Sequence, residues 1–213
     1  MTDYPPQPWD LRGQMYASTF LLPLADIPVV TPPGWSPVRL GGRGVVATAW
    51  VDYEPSGVLS YRELMATLLV HRGRLVAPTI LAIWVDSESS RYGGRGLWAI
   101  PKELATFDFG NGLLSAACPD GTPIATGTVR RRAALPRPVP LNYSVVQERG
   151  GAELRSPVRS RGTLAYGSAT FDAAPNGPLG WLAGRRPTTS VQLADFEMSF
   201  GTSGAADSGV PRR

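Results

Sequence analysis

The chain has 213 residues, 43% apolar and 18% charged, with 24 Gly and 21 Pro; this composition excludes a disordered chain and favours one domain of short strands and turns over a helical bundle. No apolar run approaches the roughly 18 residues of a membrane span, the Pro-rich start lacks the blocks of a signal peptide, and a single cysteine, Cys118, excludes an intramolecular disulfide framework, so a reducing cytoplasm is the expected setting. The net charge of +4 rests on 20 Arg and one Lys, and the densest basic run, Arg130-Arg131-Arg132, carries no interleaved aromatics, so neither nucleic acid nor membrane is an expected partner.

In chain order, Met15 to Leu22 reads as a strand and Leu24 to Val30 as a short helical turn stopped by Thr31-Pro32-Pro33-Gly34. The Gly41-Gly42-Arg43-Gly44 run, which does not match a phosphate-binding loop, turns the chain into a strand from Val45 to Tyr53. Ser60 to Arg72 mixes helix and strand formers; as a strand it places Tyr61, Glu63, Met65, Thr67, Leu69 and His71 on one face. Ala77 to Val85 is short and almost wholly apolar, the pattern of a buried strand. Leu113 to Cys118 and Ile124 to Arg132 flank Pro119-Asp120-Gly121 as a hairpin. Leu141 to Gln147, Thr163 to Phe171 and Val191 to Phe200 supply further strands. The expected architecture is mostly β (α+β): eight or so antiparallel strands curled into a single-domain barrel or cone over residues 1–200, with one or two short helices and a disordered tail over 201–213.

The single lysine is the most informative residue. Where Arg serves for nearly all positive charge, Lys102 raises the question of what Arg cannot do there. An amine can lose its proton and attack a carbonyl, and a guanidinium cannot. Lys102 follows the apolar run Leu97-Trp98-Ala99-Ile100-Pro101. A lysine in water has a pKa of about 10.4, and apolar burial lowers it, by roughly 3–5 units in fully buried sites. Pro101 fixes its own φ and biases Ile100 toward an extended shape, which would aim the amine from a stiff hinge. The competing reading is a surface lysine opening a helix, with Pro101 at the first helical position. One His and one Cys leave no metal site of the usual kind, and no cofactor motif is present.

Residues 81–109, LAIWVDSESSRYGGRGLWAIPKELATFDF, resemble the signature of the acetoacetate decarboxylase-like family. The matching pieces are a strand ending in Val85-Asp86-Ser87-Glu88, a Gly93-Gly94-Arg95 turn, and Trp98 followed by Ile100-Pro101-Lys102-Glu103-Leu104-Ala105. The opening Pro8 to Gly13 and the stretch Ser56 to Leu64 resemble the family more loosely. The resemblance implies that family's barrel or cone, a Schiff-base lysine at Lys102 and an acid at Glu63. It also marks departures. Glu103 stands where decarboxylases carry a second lysine, and its charge would raise the amine pKa, leaving burial alone to lower it. Gln14 stands in place of an active-site arginine, Thr48 in place of a second acid, and Gly96 in place of a glutamate. The candidate site is therefore Lys102 and Glu63 as catalytic groups, with Gln14, Thr48, Arg95, Trp98 and Glu103 as substrate contacts. The implied function is a lyase that forms a Schiff base with a keto acid or polyketide-like substrate, for decarboxylation or for aldol and dehydration chemistry. The alternative is a lysine-independent cyclase or binding protein on the same fold. Family analogy also implies a homo-oligomer.

Overall fold

The computed structural model describes residues 4–135 and 137–202; the expected tail lies outside them from residue 203 on. Strands β1 (Trp9–Pro23), β4 (Arg43–Tyr53), β5 (Tyr61–Arg72), β6 (Leu75–Val85), β11 (Val139–Arg149), β12 (Ala152–Ala173) and β13 (Thr189–Phe200) are the long ones. They pair in the order β6-β5-β4-β1-β13-β12-β11, antiparallel throughout. Two short strands, β2 (Ser36–Pro37) and β3 (Arg39–Leu40), lie against β5 and β4. Helix α1 (Glu88–Trp98) crosses from β6 to β7 (Lys102–Leu104), which pairs with β6 in parallel, a connection that parallel pairing requires. Strands β8 (Thr106–Gly110), β9 (Leu113–Ala117) and β10 (Pro123–Ala134) form the expected hairpin and its extension, docked on the second half of β12.

The sequence suggests eight or so strands, and the described residues form thirteen, because the two-residue bridges β2 and β3 and the short strands β7 and β8 add to those expected. No described helix is long and apolar enough to cross a membrane.

The ring is not a hydrogen-bonded barrel. Among the described residues, no backbone ladder joins β6 to β11, which lie side by side. One side chain spans the seam. The Gln147 carbonyl oxygen accepts from the Ile80 N–H (2.9 Å) and the Thr79 hydroxyl (2.8 Å), and its amide nitrogen donates to the Ile80 carbonyl (3.2 Å). A buried glutamine thus stands in for a strand's ladder at the point where β6 slips register between Ile80 and Ala82. Pro78 shows why the seam can stay open. Its partner Leu69 gives its carbonyl to the Val38 N–H on the far side (2.9 Å), so the missing N–H of Pro78 also faces away from β5, toward the seam.

Alternation along the ring strands serves two cores at once. On β5, Leu64, Ala66, Leu68 and Val70 point outward and pack with Phe20, Trp50 and Phe171 beneath the β8–β10 layer. The opposite face, starting at Tyr61 and Glu63, points inward, where Trp9, Ile83, Trp98, Ile100, Phe196 and Met198 build a second core around a cavity.

Candidate active site

Helix α1 begins at Ser87, whose hydroxyl caps it by accepting the Ser90 N–H (3.2 Å), and ends where Ala99 takes a left-handed conformation (φ 54°). Its buried face is Ser90, Gly93, Gly94 and Trp98, the spacing of one helical stripe. The sequence reads Gly93-Gly94-Arg95 as a turn, but these residues are helical, and the glycines are there for clearance. A Cβ on Gly94 would come within 2.7 Å of Lys102 Cδ, and one on Gly93 within 2.4 Å of the Trp9 indole. The helix can therefore lie directly over the lysine stem. Lys102 itself opens β7, opposite Ile83, and not a helix. Strand alternation turns Lys102 inward and Glu103 outward.

The amine lies at the closed end of the cavity, where Lys102 is 4% and Glu63 2% exposed. Lys102 Nζ donates to Glu63 Oε2 (2.7 Å), Ser90 Oγ (2.9 Å) and the Tyr61 hydroxyl (3.3 Å). An ammonium has three N–H donors, and here each has an acceptor. The Tyr53 hydroxyl donates to the other Glu63 oxygen (3.1 Å), and its ring stacks 4.4 Å from that of Tyr61. Burial disfavours the ammonium, but the Glu63 carboxylate, helped by Tyr61, outweighs it and holds the Lys102 pKa above the usual lysine range. The expectation of a depressed amine pKa is thus corrected, since burial brought a counter-ion with it. Burial and the same carboxylate push the Tyr53 phenol well up, and burial raises that of Tyr61.

The cavity holds about 530 Å³. Trp98 lines it as expected, its indole N–H held by Gln7 (3.0 Å). Three expected substrate contacts do not reach it. Gln14 has the parity opposite to the lining residues Leu11, Met15 and Ala17. Its amide instead stitches an outer bulge, donating to Asp195 Oδ1 (2.8 Å) and accepting the Asp195 N–H (3.2 Å). Glu103 faces out and pairs with Arg95. Arg95 also donates through Nε to the Lys102 carbonyl (2.7 Å), so it anchors the lysine's backbone and not a substrate. Thr48 lines the cavity but shares the parity of Val46 and Trp50, which belong to the outer core; its buried hydroxyl has no hydrogen-bond partner among the described residues.

Sequence reasoning gave Tyr53, Tyr61 and Ser90 no role in the site. Tyr61 shares the expected inner face with Glu63, and Tyr53 is its cross-strand partner. Ser90 was legible only through helical phase: Ser87 as a cap puts Ser90, Gly93, Gly94 and Trp98 on one stripe.

Among solved structures, the chain is similar to acetoacetate decarboxylase from Legionella pneumophila at 15% identity and a TM-score of 0.69, covering 96% of this chain and 90% of that one. It is also similar to the enduracididine biosynthesis enzyme MppR in complex with the condensation product of pyruvate and imidazole 4-carboxaldehyde (15% identity, TM-score 0.62, 92% and 88% covered). A third similar structure is an acetoacetate decarboxylase-like enzyme from Sphingomonas wittichii RW1 (13% identity, TM-score 0.62, 91% of both chains). No curated protein sequence matches the chain. At these identities the structural likeness establishes the fold alone, but residues 3–171 match the family model for acetoacetate decarboxylase, and the chain belongs to that family.

Proposed function

We propose that the protein is a lyase in which Lys102 forms a Schiff base with a keto substrate. The observation that carries this reading is the buried amine paired to Glu63 at 2.7 Å at the closed end of an apolar cavity. The resting ammonium cannot attack, so the first step is transfer of its proton to Glu63 Oε2 along the existing hydrogen bond. The neutral amine then adds to the carbonyl carbon, forming the C–N bond of a carbinolamine. Glu63 returns the proton to the departing hydroxyl, water leaves, and an iminium remains. That cation occupies the place of the ammonium, so the acceptors already around Nζ stabilise it without reorganisation.

The iminium withdraws electrons from the neighbouring carbon, which suits either loss of a carboxyl group or formation of an enamine. Lys102 and Glu63 are the charged residues lining the cavity among those described, so no second cation stands by to seat a carboxylate. That favours enamine chemistry, aldol addition with dehydration, over decarboxylation. The condensation product held by the similarly folded MppR is consistent with such a fate.

The direct test is reduction with borohydride in the presence of ketones and keto acids, followed by peptide mass spectrometry. Lys102 is the sole lysine, so the adduct mass is expected on its peptide, apart from background at the N-terminal amine. No adduct with any of a broad carbonyl panel would leave the lysine-independent reading standing. Gly94→Ala is a second arm. Its methyl presses on the lysine stem, and a displacement of about 1 Å costs on the order of 10²-fold. The trapping rate is expected to fall about 10–100-fold with an unchanged circular dichroism spectrum; an unaltered rate would mean the stem's path is not critical.

A further inference from the structure

The cavity extends well beyond the reacting end. Along β5 its wall is Glu63, Met65, Thr67 and Leu69, and six residues of strand span roughly 20 Å. Across the ring, Met15, Ala17 and Thr19 of β1 face the same space. Solvent access grows in this direction. Glu63 and Lys102 are buried, Met65, Thr67 and Leu69 are partly open, and Val76, which also lines the cavity, is 56% exposed. A mouth thus lies near the start of β6, and a long, largely apolar passage leads from it down to the amine.

The charges are as informative as the length. Lys102 and Glu63 are already neutralised by each other, and the nearby arginines are engaged outside the cavity. Arg95 holds Glu103 and the Lys102 carbonyl, and Arg149 donates to the carbonyls of Arg95 and Gly96. A substrate carboxylate would enter an apolar space with no cation of its own and would approach the Glu63 carboxylate. Desolvating such a charge without a partner costs several kcal/mol, and like charges add to that cost.

We infer that the ligand of this cavity is a neutral, extended, apolar carbonyl compound (a long-chain ketone, aldehyde or β-keto ester), not a free keto acid. Its carbonyl sits at Lys102 and its tail runs along β5 toward Val76. This rests on the imine reading only for what happens to the carbonyl; the class of ligand follows from the passage itself.

The experiment uses the full chain and two ligand series. In the first, acetone, methyl pentyl ketone and methyl nonyl ketone are compared for binding by calorimetry and for reductive trapping at Lys102. In the second, a β-keto ethyl ester is compared with its free acid of the same tail. Affinity is expected to rise about threefold or more per added methylene while the passage lasts, and the ester is expected to bind at least tenfold more tightly than the acid. Affinity that is flat with chain length, or an acid that binds as tightly as its ester, overturns the inference. The two proposals fail separately. Trapping of pyruvate or acetoacetate with no gain from a tail keeps the imine reading and removes this ligand class. Tight binding of long neutral ketones that are never trapped keeps the ligand class and removes the imine.

Discussion

Lys102→Arg is expected to leave a folded protein whose turnover, with any carbonyl substrate the native chain accepts, falls by at least about 10⁴-fold. The guanidinium keeps a positive charge opposite Glu63 but does not deprotonate in proteins, so it cannot become a nucleophile. Keeping the charge is what makes the variant informative. Lys102→Met would leave the Glu63 carboxylate, 2% exposed, with the Tyr53 hydroxyl as its remaining hydrogen-bond partner in this cluster. Stranding a buried charge costs about 3–5 kcal/mol, so a dead Met variant would confuse chemistry with unfolding. The Arg variant is expected to lose only about 1–3 kcal/mol, through crowding of its larger head group beneath the helix. Denaturant titration measures that loss while turnover and borohydride trapping measure the chemistry. Full turnover in a stable Lys102→Arg protein would show that the pocket works by shape and that the amine is not used.

The parts of this site that were legible in the sequence are those set by local periodicity. Alternation along β5 places Tyr61, Glu63, Met65, Thr67, Leu69 and His71 on one face, and all of them but His71, at the strand's end, line the cavity. The apolar run before Lys102 signals a buried amine, and it is buried. What escaped depends on partners distant in sequence. Glu63 stands 39 residues from Lys102, so the counter-ion that reverses the expected pKa shift is visible only once β5 and β7 are both paired to β6. Parity on β1 could have separated Gln14 from Met15 and Ala17, but nothing in that strand alone says which parity faces inward. The seam at Gln147 is of the same kind, since a glutamine in an ordinary strand gives no hint that it completes a ring. Helix α1 was hidden for another reason. Gly93, Gly94 and Gly96 lower helix propensity, and the close packing of Lys102, Trp9 and Tyr4 against those glycines is a tertiary requirement that overrides it.

Glu63→Gln is expected to lower turnover by about 10²–10⁴-fold and, more tellingly, to change how both rate and stability respond to pH. In the native chain the proton is shared within the Lys102–Glu63 pair, and its transfer between them consumes none from solvent. The rate is therefore expected to be flat across neutral pH. With glutamine in place of the carboxylate, the largest influence left on Lys102 is burial, which lowers its pKa. The residual rate should then climb with pH through that lowered value, because only the neutral amine attacks. Stability should move the same way in the variant. An amine whose folded pKa lies below its unfolded value, about 10.4, binds fewer protons in the folded state between those two values, so stability increases as pH rises through that window. The native protein behaves oppositely: its raised Lys102 pKa contributes stability that is complete below the unfolded value and lost only as pH climbs through the folded one. Denaturant midpoints at pH ~7 and ~9 separate the two, with the variant gaining and the native chain not. A Glu63→Gln protein with native turnover and no rise in stability over that interval would mean that Glu63 neither holds the ammonium nor moves its proton.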